Sequence, residues 1–245
     1  PNNNVEVTPK EIIVHQRGDT AFNHYVWEEN VLKHNFKPLP DMFKLTCLDK
    51  ENNLYDIDVL DCKSSPIFGY VINTSRLHWR KEMEERFEDN PEEAKAYAEK
   101  HRFCINGEGL TEDEIREQKQ NLANKIFAIG YMLHRFKSPS RAWAPQAMDN
   151  KIGENGECNG RSGKSFLFKT LSLFMKSVKL SGRNPKLMDN PHVFDQVNVH
   201  TDFVLVDDCA QYLSMGLFYD IITSDMTINP KNNQSYSIPF EQSPK

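Results

Sequence analysis

The sequence has no Cys-x-x-Cys pair. Its five cysteines, Cys47, Cys62, Cys104, Cys158 and Cys209, are scattered and odd in number. That argues against a cysteine-framed zinc site and a disulfide framework, and for a reducing, cytoplasmic compartment. There is no apolar run long enough to span a bilayer and no N-terminal signal pattern, so no membrane partner is expected. There is no internal repeat and no low-complexity tract. Nor is there an excess of positive charge. With 30 Lys and Arg against 35 Asp and Glu the net charge is −5, and any contact with nucleic acid must come from a local patch. What remains is a chain of 245 residues, 38% hydrophobic and 27% charged. This is the composition of a globular protein with room for one large or two ordinary domains. Both ends, Pro1-Asn2-Asn3-Asn4 and Ser243-Pro244-Lys245, read as cut.

The first half reads as mixed β and helical. Residues 1–7 are expected to be loose. Ile12-Ile13-Val14 suits a short strand and residues 20–34 a short helix, broken by Pro38 and Pro40. Alternation predicts strands through Phe43, Leu45 and Cys47 and again from Leu54 to Leu60, with a turn at Glu51-Asn52-Asn53. The apolar run Ile67 to Ile72 is the strongest buried-strand candidate here, though a short apolar run can also be helix. Residues 76–102 are charged and helical, with a solvated face and a second start at Asn90-Pro91. Thr111 and Glu114 form a capping box for a long helix to about Arg135. Ala142 to Met148 suits an edge strand.

The stretch Cys158-Asn159-Gly160-Arg161-Ser162-Gly163-Lys164-Ser165 resembles the phosphate-binding pattern G-x-x-x-x-G-K-[ST], with Cys158 in place of the first glycine. A helical run is expected to follow at once, from Phe166 to Leu180. Such a loop turns backbone N–H groups toward phosphates and presents the positive end of the helix to them. Asn159, Gly160, Arg161, Ser162, Gly163, Lys164, Ser165 and Phe166 are therefore the expected ATP contacts. Lys164 would reach the β- and γ-phosphates and Ser165 would ligate Mg²⁺.

Forty-three residues after Lys164, the apolar run Phe203-Val204-Leu205-Val206 ends in Asp207-Asp208. In an open α/β sheet, ligands gather at the carboxyl ends of strands. Beside the phosphate loop, Asp207 would hold Mg²⁺ and Asp208 would polarise the attacking water. Lys164, Asp207 and Asp208 are thus the expected catalytic set, and Ser165 with Asp207 the expected metal ligands. An amphipathic helix is expected from Leu213 to Thr223. Beyond it, Met226/Ile228 and Tyr236/Ile238 alternate about an Asn-Pro-Lys-Asn tip, the pattern of a hairpin.

Together these residues resemble the superfamily 3 helicases, compact AAA+ ATPases, and most closely their phage and virus primase–helicase branch. The resemblance covers roughly residues 120–245. Ile129-Gly130-Tyr131-Met132-Leu133-His134 is similar to the helix that precedes the ATPase core, Asn159 to Ser165 to its P-loop, and Phe203 to Asp208 to its Walker B strand. Lys231 falls where the family has a hairpin lysine on single-stranded DNA. Asn232 stands where many relatives carry a second basic residue.

The resemblance implies an α/β fold: an AAA+-type P-loop core with a parallel sheet flanked by helices, preceded by the mixed β and helical region. Expected boundaries are 1–110, a helical linker or collar at 111–140, and the core at 141–245. The resemblance also implies ATP and Mg²⁺ as cofactors, single-stranded DNA as partner through Lys231 and Asn232, and assembly into a homo-oligomeric ring, a hexamer by expectation. The sensor 1 strand and arginine finger would lie beyond Lys245. The implied activity is ATP-driven DNA translocation and unwinding in replication. Two rivals remain open: a nucleotide-gated assembly module without unwinding, and a P-loop phosphotransferase.

Overall fold

The computed structural model describes residues 3–8, 10–16, 18–26, 28, 31–32, 35–148, 163–184, 186–210, 213 and 215–245. The described strands form four two-stranded sheets interspersed with helices, a mixed α/β chain. It divides into two units. One comprises Pro1–Phe36, Ile129–Met148 and Lys164–Lys245, and the other Lys37–Ala128 with Asp149–Gly163.

The first unit opens with β1 (Asn3–Val7) antiparallel to β2 (Ile12–Gln16). The N-terminal stretch expected to be loose is therefore paired, with Val5 opposite Val14. His15 fastens the pair: its Nε2 lies 3.0 Å from Glu6 and its Nδ1 3.4 Å from Asp19. Glu6 and then Asp19 hold its pKa above the ordinary value, despite burial acting the other way. The helix expected over 20–34 does not form at residues 20–26, which run without regular structure after a turn.

The second unit begins with β3 (Phe43–Asp49) antiparallel to β4 (Leu54–Val59), turning through Asn53 at φ 53°. The run expected to be a strand over 67–72 is instead α1 (Pro66–Asn73). Ser65 Oγ accepts from Phe68 N at 3.3 Å and Pro66 occupies the first turn, a complete helix start. The buried Phe68, Val71 and Ile72 are spaced three and four apart rather than two, so helical periodicity prevails over β-branched content. A five-residue π-helical turn, Arg80–Glu84, leads to α2 (Pro91–Lys100), whose start is capped by Asn90 Oδ1 accepting from Glu93 N at 3.2 Å.

The charges of this region are not all solvated. Arg76 and Glu82 are 6% and 1% exposed and form an ion pair. Tyr97 donates to the same carboxylate at 2.8 Å, and Gly107 is needed because a Cβ there would sit 2.5 Å from it. The capping box forms as expected: Glu114 Oε2 accepts from Thr111 N at 2.7 Å, and Thr111 Oγ1 from Glu114 N at 3.3 Å. It starts α3 (Glu112–Met132), and the division between units falls within that helix.

Residues 142–148 have no strand partner, so the expected edge strand is absent there; Pro145 cannot donate to a ladder. The first unit then resumes with α4 (Lys164–Leu171). The expected helix to Leu180 stops early, because Ser177–Ser181 is β5. It pairs in parallel with β6 (Phe203–Asp207), Ser177 opposite Phe203 and Ser181 opposite Asp207. The other edge of β6 carries a parallel rung: Lys245 N donates to Asp202 O at 3.1 Å and Val204 N to Lys245 O at 2.8 Å. The helix expected over 213–223 is a 3₁₀ turn (Met215–Phe218) running into the short α5 (Tyr219–Thr223).

The hairpin forms in the expected register from β7 (Met226–Ile228) and β8 (Tyr236–Ile238), Met226 opposite Ile238. Its stem packs with Val178, Phe194 and Val197 in one apolar cluster, flanked by Leu180 and Val204. The parallel pair and the hairpin therefore share a core. Among the described residues no helix is long and apolar enough to cross a membrane.

Candidate functional site

The alternation of β6 decides which way its acids point. Val204 and the opposite Val178 face the hairpin cluster. Asp207 lies on the other face, which it shares with Lys179 of β5 because side chains two apart in a strand project together. There it meets α4. Ser165 Oγ donates to Asp207 Oδ1 at 2.6 Å. Lys169, one helical turn after Ser165, reaches Asp207 Oδ2 at 2.9 Å, and Lys179 reaches the same oxygen at 2.9 Å.

The Asp207 side chain is 11% exposed. Its pKa is held far below the usual carboxylate value by the Ser165 hydrogen bond first and then by the two ammonium groups, against a burial penalty. Asp207 is thus ionised at every pH near neutrality. A hydroxyl and a carboxylate are hard oxygen donors of the kind Mg²⁺ takes alongside water and phosphate. Among the described residues no group of three or more His, Cys, Asp or Glu is placed to hold a metal on its own.

Asp208 departs from the strand. Its φ of 59° is left-handed, and its carboxylate is paired with Arg183 in an exposed ion bridge. The turn is tied to the exit of β5: Gly182 N donates to Asp207 O at 2.8 Å, and Ala210 N to Gly182 O at 2.9 Å. The two adjacent acids therefore occupy different settings, Asp207 enclosed by cations and Asp208 at the surface.

Of the expected ATP contacts, Asn159, Gly160, Arg161 and Ser162 lie outside the described residues, as does Cys158. Gly163 has φ +80° and its carbonyl accepts from Tyr70 Oη at 2.8 Å, both in the second unit. Lys164 opens α4, and Phe166 is 53% exposed. At the hairpin tip Lys231 and Asn232 are exposed, Asn232 with φ 63°. His192 Nδ1 lies 2.7 Å from Asn229 O, bracing the tip, while Tyr236 donates to Val197 O at 2.8 Å.

The structure therefore joins Ser165 to Asp207 and leaves Asp208 and Lys231 apart from that pair. It adds Lys169, Lys179 and Arg183. Lys169 could have been found, since it sits four residues after Ser165 on one helix face. Lys179 could not while its segment read as helix. Comparison of the chain with protein families, with curated proteins and with solved structures returns no match.

Proposed function

We propose that the chain is the ATPase core of a DNA helicase or translocase of the phage and virus replication type, with an AAA+-like P-loop arrangement. The observation that carries the reading is the 2.6 Å bond from Ser165 to Asp207. It joins the last residue of the phosphate-loop pattern to the acid ending a parallel strand 42 residues on, the pairing that Mg²⁺–nucleotide chemistry requires. Parallel pairing of β5 with β6, and the further rung at Lys245, suit a parallel sheet in this region.

Ser165 and Asp207 would hold Mg²⁺, which supplies Lewis-acid neutralisation of the phosphates. Lys164 would bind the β- and γ-phosphates, and Asp208 would orient the attacking water once released from Arg183. Lys231, on a hairpin sharing a core with β5 and β6, would hold the backbone of single-stranded DNA within a ring of copies of this chain.

The test is ATP turnover by the full-length protein with and without single-stranded DNA. Turnover should be strongly stimulated by the strand. Lys231→Ala should remove the stimulation and leave unstimulated turnover in place, whereas Lys164→Ala and Asp207→Asn should each lower turnover by about 10² or more, the loss expected when a main electrostatic stabiliser is removed. Turnover indifferent to DNA would overturn the helicase reading, and nucleotide binding unchanged by Lys164→Ala would overturn the P-loop reading.

A further inference from the structure

The second unit carries a groove of about 480 Å³ between the end of α1 and one side of α2. Its principal lining residues are Asn73, Arg76, Trp79, Lys95, Glu99 and Arg102. The buried ion pair described above fixes its aromatic wall. Arg76 is bound to Glu82, with Nε at 3.3 Å from Oε2, and its Nη1 donates to His101 O at 3.4 Å. So anchored, its guanidinium lies 4.3 Å from the centroid of the Trp79 ring. The indole is thereby positioned at the groove without help from a ligand.

The other lining cations, Lys95 and Arg102, are exposed. Among the described residues, neither Lys95 nor Arg102 has a carboxylate within ion-pair distance, and Arg102 rests over the Phe103 ring at 4.9 Å. With Arg76 neutralised by Glu82, the groove lining holds two cations without a described carboxylate partner against one carboxylate, Glu99, in a chain whose net charge is −5. The groove thus combines a fixed indole with a local cationic excess.

We infer that this groove binds single-stranded nucleic acid, with a base against Trp79 and the adjoining phosphates on Lys95 and Arg102. An unpaired base offers the π-face that an indole takes, and its backbone offers the anion that the lysine and arginine take. A duplex keeps its bases stacked and cannot present both. No residue of the groove belongs to the Ser165–Asp207 site or to the Lys231 hairpin, so binding here requires neither ATP nor Mg²⁺ and stands whether or not the chain is an ATPase.

The test is fluorescence anisotropy of a labelled oligo(dT) with the full chain, without nucleotide or metal, in a Lys231→Ala background that removes the hairpin's contribution. Lys95→Glu with Arg102→Glu should weaken binding at least tenfold. Losing two phosphate contacts should also lower the slope of log affinity against log salt by about 1.4, at about 0.7 per contact on single strands. Trp79→Phe should remove part of the tryptophan quenching that the oligonucleotide causes. Should the charge reversal fail to fold, as judged by circular dichroism, Lys95→Gln with Arg102→Gln repeats the measurement with the same expectation. Unchanged affinity and slope in the folded double variant would overturn the inference. So would displacement of the oligonucleotide by millimolar inorganic phosphate, which would mark a simple anion site.

Discussion

Gly182 stands where β5 turns off beside the acids that end β6. A Cβ added there would lie 2.7 Å from Cys209 Cα and 2.9 Å from its Sγ, and the first of these is backbone that cannot swing aside. The same glycine bonds to Asp207 and Ala210 through both its backbone groups. Gly182→Ala must therefore push the turn after β6 away from β5. Overpacking of this kind costs about 1–3 kcal/mol, and equilibrium denaturation should show a loss in that range. Because the displaced turn carries Asp207 and Asp208, Mg²⁺-dependent nucleotide binding should weaken as well. Cys209→Ala removes only the Sγ contact and should not rescue it. Full stability in Gly182→Ala would show that the turn is free to move and that the acids are not held by this contact.

The hairpin separates packing from binding at the level of an element. Ile228 is fully buried in the cluster shared with β5 and β6, whereas Lys231, three residues on, is exposed. Ile228→Ala should cost about 2–5 kcal/mol on denaturation, the range for deleting a buried aliphatic side chain. Lys231→Ala should stay within about 0.5 kcal/mol, as surface changes do, so a DNA phenotype in it could not be ascribed to misfolding. This hairpin was legible in the sequence because alternation and a polar tip are local signals, and so were β6 and the caps at Asn90 and Thr111. The structure of 67–72 was not, since a short apolar run suits either a strand or a helix until Ser65-Pro66 is weighed as a start. Nor was β5, whose apolar residues follow a helix without a break. With β5 unseen, the register placing Lys179 beside Asp207 was out of reach, and the pair Arg76–Glu82 was hidden for a similar reason. A charge run looks solvated until the elements that bury two of its members are in place.

Across the whole molecule, lysines rather than carboxylates set the alkaline behaviour. Burial lowers the pKa of Lys125, Lys137 and Lys245 from 10.5 to about 8 each. Arg135 adds repulsion at Lys137, and Lys137 in turn at Lys245. The ammonium groups are not idle: Lys125 lies 3.3 Å from Thr74 Oγ1, Lys137 3.2 Å from Pro244 O, and Lys245 3.4 Å from His134 Nδ1. These neutral partners do not offset the lost hydration. For a base whose folded pKa is depressed, the unfolded chain binds more protons between the two values, so stability rises with pH through that interval. The melting midpoint should therefore climb between pH 8 and pH 10. The climb should exceed about 2 °C, the shift that about 1 kcal/mol gives a chain of this size. Above pH 10 the gain should reverse, because burial raises the pKa of Tyr70, Tyr97 and Tyr131 and the unfolded chain ionises first. At the acid end stability again rises with pH, as it does for the lysines, because the folded pKa values of the carboxylates are depressed too. Asp207, Asp56 and Glu114, the last held at about 2, contribute stability above pH 4 that is lost as pH falls toward their folded values. Thermal melts from pH 3 to pH 11 check both limbs. Lys125→Met should raise the midpoint at pH 7, where the wild-type ammonium is still charged, and flatten the rise between pH 8 and pH 10. A wild-type midpoint that stays level or falls over that interval would mean that these lysines keep their hydration in the folded chain.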